Sequence, residues 1–171
     1  MSLLEIVEFP HPVLKQAAES VDGLNQAIEK LIQDMTDTMY HAPGLGLAAN
    51  QVGVPKKIAV IDVSTAEEPR NTIVIVNPRI VEISKEAEKA EEGCLSVPDL
   101  RTEVERALKV TVEGVDLKGN ELKITGEDLL ARVLQHEIDH LNGTLFIDRI
   151  GRLKRGRYVR QRKKALAGEK R

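Results

Sequence analysis

The sequence predicts an α+β fold in which antiparallel or mixed β-sheets pack around a central helix, and a basic helix ends the chain. Alternating apolar and polar residues mark strands in the middle of the chain, and apolar residues three or four apart mark helices on either side. A chain of 171 residues that is 42% hydrophobic and 30% charged is typical of one globular domain. Residues 1–171 are therefore expected to form a single domain.

The first predicted helix lies in the N-terminal quarter of the chain. Its apolar positions follow helical spacing and are Leu24, Ile28, Leu31, Met35 and Met39. Asn25 is the expected N-cap, and the dipeptide Pro43-Gly44 is expected to end the helix.

Strands are predicted next, in runs rich in β-branched residues that prolines separate. These runs are Ile58 to Val63, Ile73 to Val76 and Ile80 to Ile83. The charged stretch from Ser84 to Glu92 is expected to be a solvated loop. Alternating residues then predict strands on either side of a turn at Asp116 to Asn120; they begin near Leu108 and Leu122.

The central helix is predicted to follow these strands. Thr125 and Asp128 have the spacing of a capping box, and Asn142-Gly143 is expected to end the helix. Its apolar stripe consists of Leu129, Leu130, Val133, Leu134, Ile138 and Leu141. A last, mostly basic helix is expected over about residues 152–167.

Composition excludes several classes of protein. Cys94 is the single cysteine, so no disulfide can form within the chain, and four aromatic residues without Trp argue against a reader of single-stranded nucleic acid by base stacking. No apolar run approaches the roughly 18 residues of a membrane span, and the N-terminus lacks the basic start of a secretion signal. We expect a cytoplasmic monomer that binds neither membranes nor DNA.

The segment His136-Glu137-Ile138-Asp139-His140 is the strongest chemical signal in the sequence. Residues four apart share one face of a helix, so the two imidazoles can reach one metal ion. Glu137 lies beside the first ligand and can reach a metal-bound water without ligating the metal. The central helix is therefore predicted to bind a metal.

A catalytic metal needs a third protein ligand and an open position for water. The longer protease pattern places a His where this chain has Phe146, and Glu169 is the one glutamate downstream of the motif. Cys94 is the best remaining candidate, although a free cysteine is commonly a small buried hydrophobe. Two alternatives stay open: a zinc peptidase of another type, and an RNA-binding protein whose metal is structural.

Three segments resemble the signature blocks of the peptide deformylase family, in the family's order. They are Gly44 to Gln51, Glu92 to Ser96, and His136 to His140. The resemblance implies an enzyme that removes the formyl group from the N-terminal formyl-methionine of new polypeptides and releases formate. It also implies one divalent metal ion held by Cys94, His136 and His140. That ion is expected to be Fe²⁺ natively, with Zn²⁺, Ni²⁺ or Co²⁺ as occupants of purified protein.

The resemblance also assigns catalytic roles. Glu137 is expected to take a proton from the attacking water and return it to the leaving amine. The side-chain amide of Gln51 and the backbone N–H of Leu95 are expected to stabilise the oxyanion.

Substrate-binding residues are expected on two sides of this centre. Gly44 and Gly46 are small enough to admit an extended substrate backbone. Leu129 and Val133 precede His136 on the same helix face, and together with Leu45 they are predicted to line an apolar pocket for the methionine side chain.

Charge is distributed unevenly along the chain. Residues 149–171 carry a formal charge of +10, against −12 for residues 1–148. A basic segment is attracted to phosphate-rich surfaces. Because the resemblance implies nascent chains as substrates, we expect this tail to dock on the ribosome near the exit tunnel.

Overall fold

The computed structural model describes residues 2–169 and confirms the predicted α+β class. Within those residues the chain forms three α-helices and seven strands. The helices are α1 (Gln26–His41), α2 (Asp128–Leu141) and α3 (Arg152–Glu169). The strands are β1 (Gly46–Ala48), β2 (Ile58–Ile61), β3 (Ile73–Ile83), β4 (Ala87–Cys94), β5 (Val97–Ala107), β6 (Lys109–Val115) and β7 (Glu121–Glu127). Lys170 and Arg171, the end of the predicted basic tail, lie outside the described residues.

The strands form two antiparallel sheets. Five strands pair in the order β1-β2-β3-β6-β7, and β4 pairs with β5 as a separate hairpin. Helix α2 contacts strands of both sheets, and ten of its 14 residues are buried. The helix that carries the histidine motif is therefore the central element of the fold.

The five-stranded sheet has a helix on each face. Met35 and Met39 of α1 pack on Val60, whereas Leu134 of α2 packs with Ile61. Because consecutive strand residues point to opposite faces, Val60 and Ile61 place the two helices on opposite sides of the sheet. A third apolar cluster joins the N-terminal segment to α3.

Helix α1 begins where the sequence predicts. The Asn25 side chain accepts a hydrogen bond of 2.9 Å from the backbone N–H of Ile28, as an N-cap does. The helix ends at His41, directly before Ala42 and Pro43.

Three local predictions are wrong. Pro78 does not separate two strands, because β3 runs through it with shifts in register and Asn77 in a left-handed conformation. The stretch from Ser84 to Glu92 is no loop, since Ala87–Cys94 pairs with β5 along its length. This strand has little apolar character, since four of its eight residues are exposed and one is buried.

The predicted capping box is also absent. Strand β7 continues to Glu127, and the Thr125 hydroxyl lies 3.0 Å from the hydroxyl of Thr111 on the neighbouring strand. Helix α2 therefore starts at Asp128, and its N-cap residue Glu127 makes no capping hydrogen bond through its side chain.

The last helix, α3, extends to Glu169, slightly beyond the predicted end. It is held by Tyr158, whose hydroxyl donates to the Pro98 carbonyl, and by Arg162, which donates to the Phe9 carbonyl. Among residues 2–169, no helix has the length and apolar character needed to cross a membrane.

Candidate metal centre

Two elements bring the predicted metal ligands together. His136 and His140 lie one turn apart on α2, and Cys94 is the last residue of β4. The Nε2 atoms of the two histidines are 3.2 Å apart, and Cys94 Sγ lies 3.3 Å from Nε2 of His140. The candidate ligand atoms all fall within 4.8 Å of one another.

These donors fit a divalent transition metal. One thiolate and two imidazoles suit zinc or iron, whereas Mg²⁺ and Ca²⁺ prefer oxygen ligands. Burial lowers the pKa of His140, which favours the neutral imidazole that can ligate a metal. Three protein ligands leave a position free for water or substrate, as catalytic sites require.

Glu92 orients the first histidine. His136 Nδ1–H donates to Glu92 Oε1 over 2.8 Å, so Nε2 of the ring faces Cys94 and His140. Burial raises the pKa of Glu92, but hydrogen bonds from His136 and Arg106 outweigh it and bring that pKa down to about 2. Glu92 is therefore a fixed carboxylate beside the candidate metal centre.

Glu92 belongs to a buried charge network with Arg106 and Asp139. The guanidinium of Arg106 donates to both Glu92 oxygens, over 2.9 and 3.0 Å, and to Asp139 over 2.6 Å. Asp139 lies on α2 between the two histidines and also accepts from Arg149. Arg106 thus links β5 to the helix that carries two of the candidate metal ligands.

Glu137 occupies the wall of the cavity next to His136. Its carboxylate is buried, and its Oε2 atom has no hydrogen-bond partner among the described residues. Burial raises the pKa of Glu137 to about 7. A carboxyl group with such a pKa can both accept and donate a proton near neutral pH.

Gln51 presents an amide to the same centre. Its Nε2 lies 3.6 Å from Cys94 Sγ and donates to the Ser96 hydroxyl over 3.2 Å, while its Oε1 accepts from the backbone of Ala48. These bonds fix which end of the amide faces Cys94 Sγ. Leu95 follows Cys94 directly and lines the cavity.

A cavity of about 500 Å³ opens beside these groups, and every predicted site residue except His140 lines it. The predicted substrate-binding residues Gly44 and Gly46 form one edge, and Val133 is buried in the wall. Leu45 and Leu129 are 46% and 47% exposed, so they lie at the mouth of the cavity.

Sequence reasoning missed several residues that shape this site. Glu92 stands within the Glu92-Gly93-Cys94 block, so its place two residues before a ligand could have identified it. Ser96 ends the same signature block two residues after Cys94 and could have been identified in the same way. Arg106 gave no such signal, because only the fold brings it to the centre. Phe146, which stands where a longer protease pattern has histidine, instead stacks on His136 with ring centroids 6.1 Å apart.

Comparison with known proteins gives one consistent family. The polypeptide deformylase family matches residues 3–156. The chain is 48% identical over 165 residues to a peptide deformylase of Rhizobium meliloti, which covers 96% of this chain and 95% of that protein.

Solved structures of peptide deformylases superpose on this chain. A crystal structure of peptide deformylase from Ehrlichia chaffeensis superposes with a TM-score of 0.92 at 41% identity, covering 98% of this chain and 99% of the other. A class I type b peptide deformylase from Acinetobacter baumannii, bound to Met-Ala-Ser, superposes with a TM-score of 0.83 at 38% identity. This superposition covers 88% of this chain and 100% of the other. The chain therefore belongs to the polypeptide deformylase family.

Proposed function

We propose that this chain removes the formyl group from the N-terminal formyl-methionine of newly synthesised polypeptides by metal-dependent hydrolysis, and that residues 1–171 act as one catalytic domain. The observation that carries the proposal is the meeting of Cys94, His136 and His140 with the buried Glu137 on one cavity. Membership of the deformylase family supports it. So does the relative whose structure contains Met-Ala-Ser, a peptide with the sequence of a deformylated N-terminus.

Cys94, His136 and His140 would hold one divalent ion, which we expect to be Fe²⁺ in the native enzyme. When bound, that ion supplies Lewis-acid activation of water and of the formyl carbonyl. Zn²⁺, Ni²⁺ or Co²⁺ can occupy the same donors in purified protein, because the ion loaded at such a site depends on which metals are available. Glu92 keeps the His136 ring oriented through its bond to Nδ1.

Glu137 moves the proton during hydrolysis. It takes a proton from water as the water oxygen adds to the formyl carbon, and it returns that proton to the amine nitrogen as the C–N bond breaks. Formate and a free methionyl N-terminus are the products. Burial raises the pKa of Glu137, which favours its return of the proton to the amine.

Gln51 and Leu95 stabilise the negative charge that develops on the formyl oxygen. The Gln51 amide already faces the metal centre, since Nε2 lies 3.6 Å from Cys94 Sγ. An amide donates without titrating, and preorganised donors of this kind are worth on the order of 3 kcal/mol of barrier each. The backbone N–H of Leu95 is the second donor.

The methionine side chain occupies the apolar part of the cavity. Val133 forms its wall, and Leu45 and Leu129 cover its mouth. Gly44 and Gly46 line the cavity, and the substrate backbone passes beside them. A Cβ at Gly44 would meet Leu95, and one at Gly46 would meet Glu137, at under 3.0 Å, so glycine also lets these two side chains approach closely.

The direct test replaces Glu137 with glutamine. We expect Glu137→Gln to bind one metal ion per chain, as the wild type does, and to lose at least about a hundredfold in formate release from a formyl-methionyl peptide. Metal content by elemental analysis is the internal control. A variant that retains metal and releases formate at the wild-type rate would show that Glu137 does not transfer the proton.

The enzyme works in the cytoplasm as a monomer, and its basic tail, residues 149–171, docks on the ribosome near the exit tunnel. Tyr158 and Arg162 face the body of the protein, whereas Lys163 and Lys164 are exposed on α3. Exposed cations attract ribosomal RNA in a salt-dependent way. Replacing both lysines with glutamate should reduce co-sedimentation with ribosomes at low salt. Unchanged co-sedimentation would argue against this docking.

A further inference from the structure

Arg132 is the one arginine of α2, and it lies one turn before His136. It lines the catalytic cavity, yet its side chain is only 11% exposed. A charged side chain is an unexpected wall for a pocket that holds methionine, because an aliphatic residue at this position would line it without a charge to bury.

The guanidinium of Arg132 connects α2 to both strands of the hairpin. Nη1 donates to Glu92 Oε2 over 2.6 Å and to the Val104 carbonyl over 2.8 Å, and Nη2 donates to the Glu88 carbonyl over 2.8 Å. Glu88 and Glu92 belong to β4, and Val104 belongs to β5. One side chain therefore ties the helix wall of the cavity to the hairpin wall.

The hydrogen bonds of Arg132 fix the distance between α2 and the hairpin of β4 and β5. The planar fork of an arginine can satisfy several acceptors at once in one geometry, which a lysine ammonium on a flexible stem cannot reproduce. The cavity is lined by Val133 and His136 on the helix side and by Glu92 and Gly93 on the hairpin side. The three bonds of Arg132 hold these two walls at a set separation.

We propose that Arg132 is a specificity-determining residue: it sets the width of the side-chain pocket between α2 and β4, and with it the preference for methionine. This inference rests on the proposed function. A substrate that fills the pocket gains binding energy from walls held at the right distance, whereas a substrate with a short side chain leaves the pocket unfilled and gains nothing.

Replacing Arg132 can have two effects on the rate. Loss of its bond to Glu92 would disturb His136, and this would slow all substrates by the same factor. Loss of pocket width would slow formyl-methionyl substrates and spare formyl-alanyl substrates. The ratio of the two kcat/KM values therefore cancels the first effect and reports the second.

The experiment compares formyl-Met-Ala-Ser with formyl-Ala-Ala-Ser as substrates of the metal-loaded enzyme. Arg132→Met keeps the aliphatic stem and removes every donor, and Arg132→Lys keeps the charge without the fork. The control is Arg79→Met on β3, whose side chain is 73% exposed and pairs with Glu113. We expect Arg132→Met to lower the ratio of kcat/KM values by about tenfold or more, within the range that pocket contacts supply. Arg132→Lys should lower it by less, and Arg79→Met should leave it unchanged.

A binding measurement provides a second readout without turnover. We expect Arg132→Met to lose affinity for Met-Ala-Ser, measured by calorimetry, but not for Ala-Ala-Ser. Circular dichroism shows whether each variant folds, and if Arg132→Met does not, the ratio for Arg132→Lys decides. An unchanged ratio of the two kcat/KM values, as an equal loss for both substrates would give, would overturn the proposal. If the wild type released no formate, the proposed function would fail, and the two tripeptide affinities would still decide the role of Arg132.

Discussion

Replacing Gly46 with alanine tests where the Glu137 carboxylate acts. A Cβ built on Gly46 lies 2.6 Å from Glu137 Oε1 and 2.9 Å from both Cδ and Cγ of the same side chain. Ordinary contact begins at 3.4 Å, so the nearest carboxylate oxygen must move by about 0.8 Å. Glu137 lines the cavity, so a displaced carboxylate would move into the cavity and away from its position beside His136.

A displacement of that size is large for a group that transfers a proton. Misplacing a reacting group by about 1 Å can cost on the order of a hundredfold in rate. We therefore expect Gly46→Ala to lower kcat for formate release by about a hundredfold. Overpacking should also reduce the free energy of unfolding by about 1–3 kcal/mol.

The assay measures formate released from formyl-Met-Ala-Ser, together with metal content and thermal unfolding. Gly23→Ala is the matched control, because a Cβ there meets nothing within 4 Å. We expect that control to retain wild-type kcat. A folded, metal-loaded Gly46→Ala enzyme with a kcat close to that of the wild type would refute this account of Glu137.

Two further predictions concern buried charges. Arg106→Met should reduce the free energy of unfolding by about 3–5 kcal/mol in urea titrations, because Glu92 and Asp139 then lose a buried partner. Asp62→Asn should destabilise the protein at neutral pH, but not in strong acid. Burial raises the pKa of Asp62, yet hydrogen bonds from Ser64, Tyr40 and Asn71 outweigh it and lower that pKa to about 2. The stabilisation from this carboxylate is therefore full above its ordinary pKa of 3.8 and is lost as pH falls towards 2.

For each of these two variants, one result would contradict the expected loss of stability. An Arg106→Met protein as stable as the wild type would mean that the two acids remain paired or hydrated without the arginine. For Asp62→Asn, unfolding is compared at pH 7 and near pH 2. A difference in stability from the wild type that persists undiminished at the acidic pH would show that the carboxylate charge is not its source.

Local sequence patterns predicted the helices well and the hairpin poorly. Asn25 and the apolar spacing of α1 act within a few residues, so the start of that helix was readable. Strand β4 was mistaken for a loop because it is held by backbone pairing to β5 rather than by a buried apolar face. The Thr125 hydroxyl faces Thr111 across the sheet, a contact that no local pattern reveals.

The same distinction applies to the site. His136 and His140 share a helix face by spacing alone, so their approach to one another was predictable. Arg106 and Arg132 act on Glu92 from positions 14 and 40 residues away in the chain, and only the packing of the hairpin against α2 brings them there. Roles that depend on such long-range contacts cannot be read from one sequence without its fold.

The central claim is that Cys94, His136, His140 and Glu137 form a deformylase site. In the most direct measurement, the protein is purified without oxygen. Formate release from formyl-Met-Ala-Ser is then compared with acetate release from acetyl-Met-Ala-Ser. The account predicts formate from the first and no acetate from the second, because the formyl carbon bears only hydrogen where the acetyl group carries a methyl. Absence of formate from a folded sample that holds one metal ion per chain would contradict it.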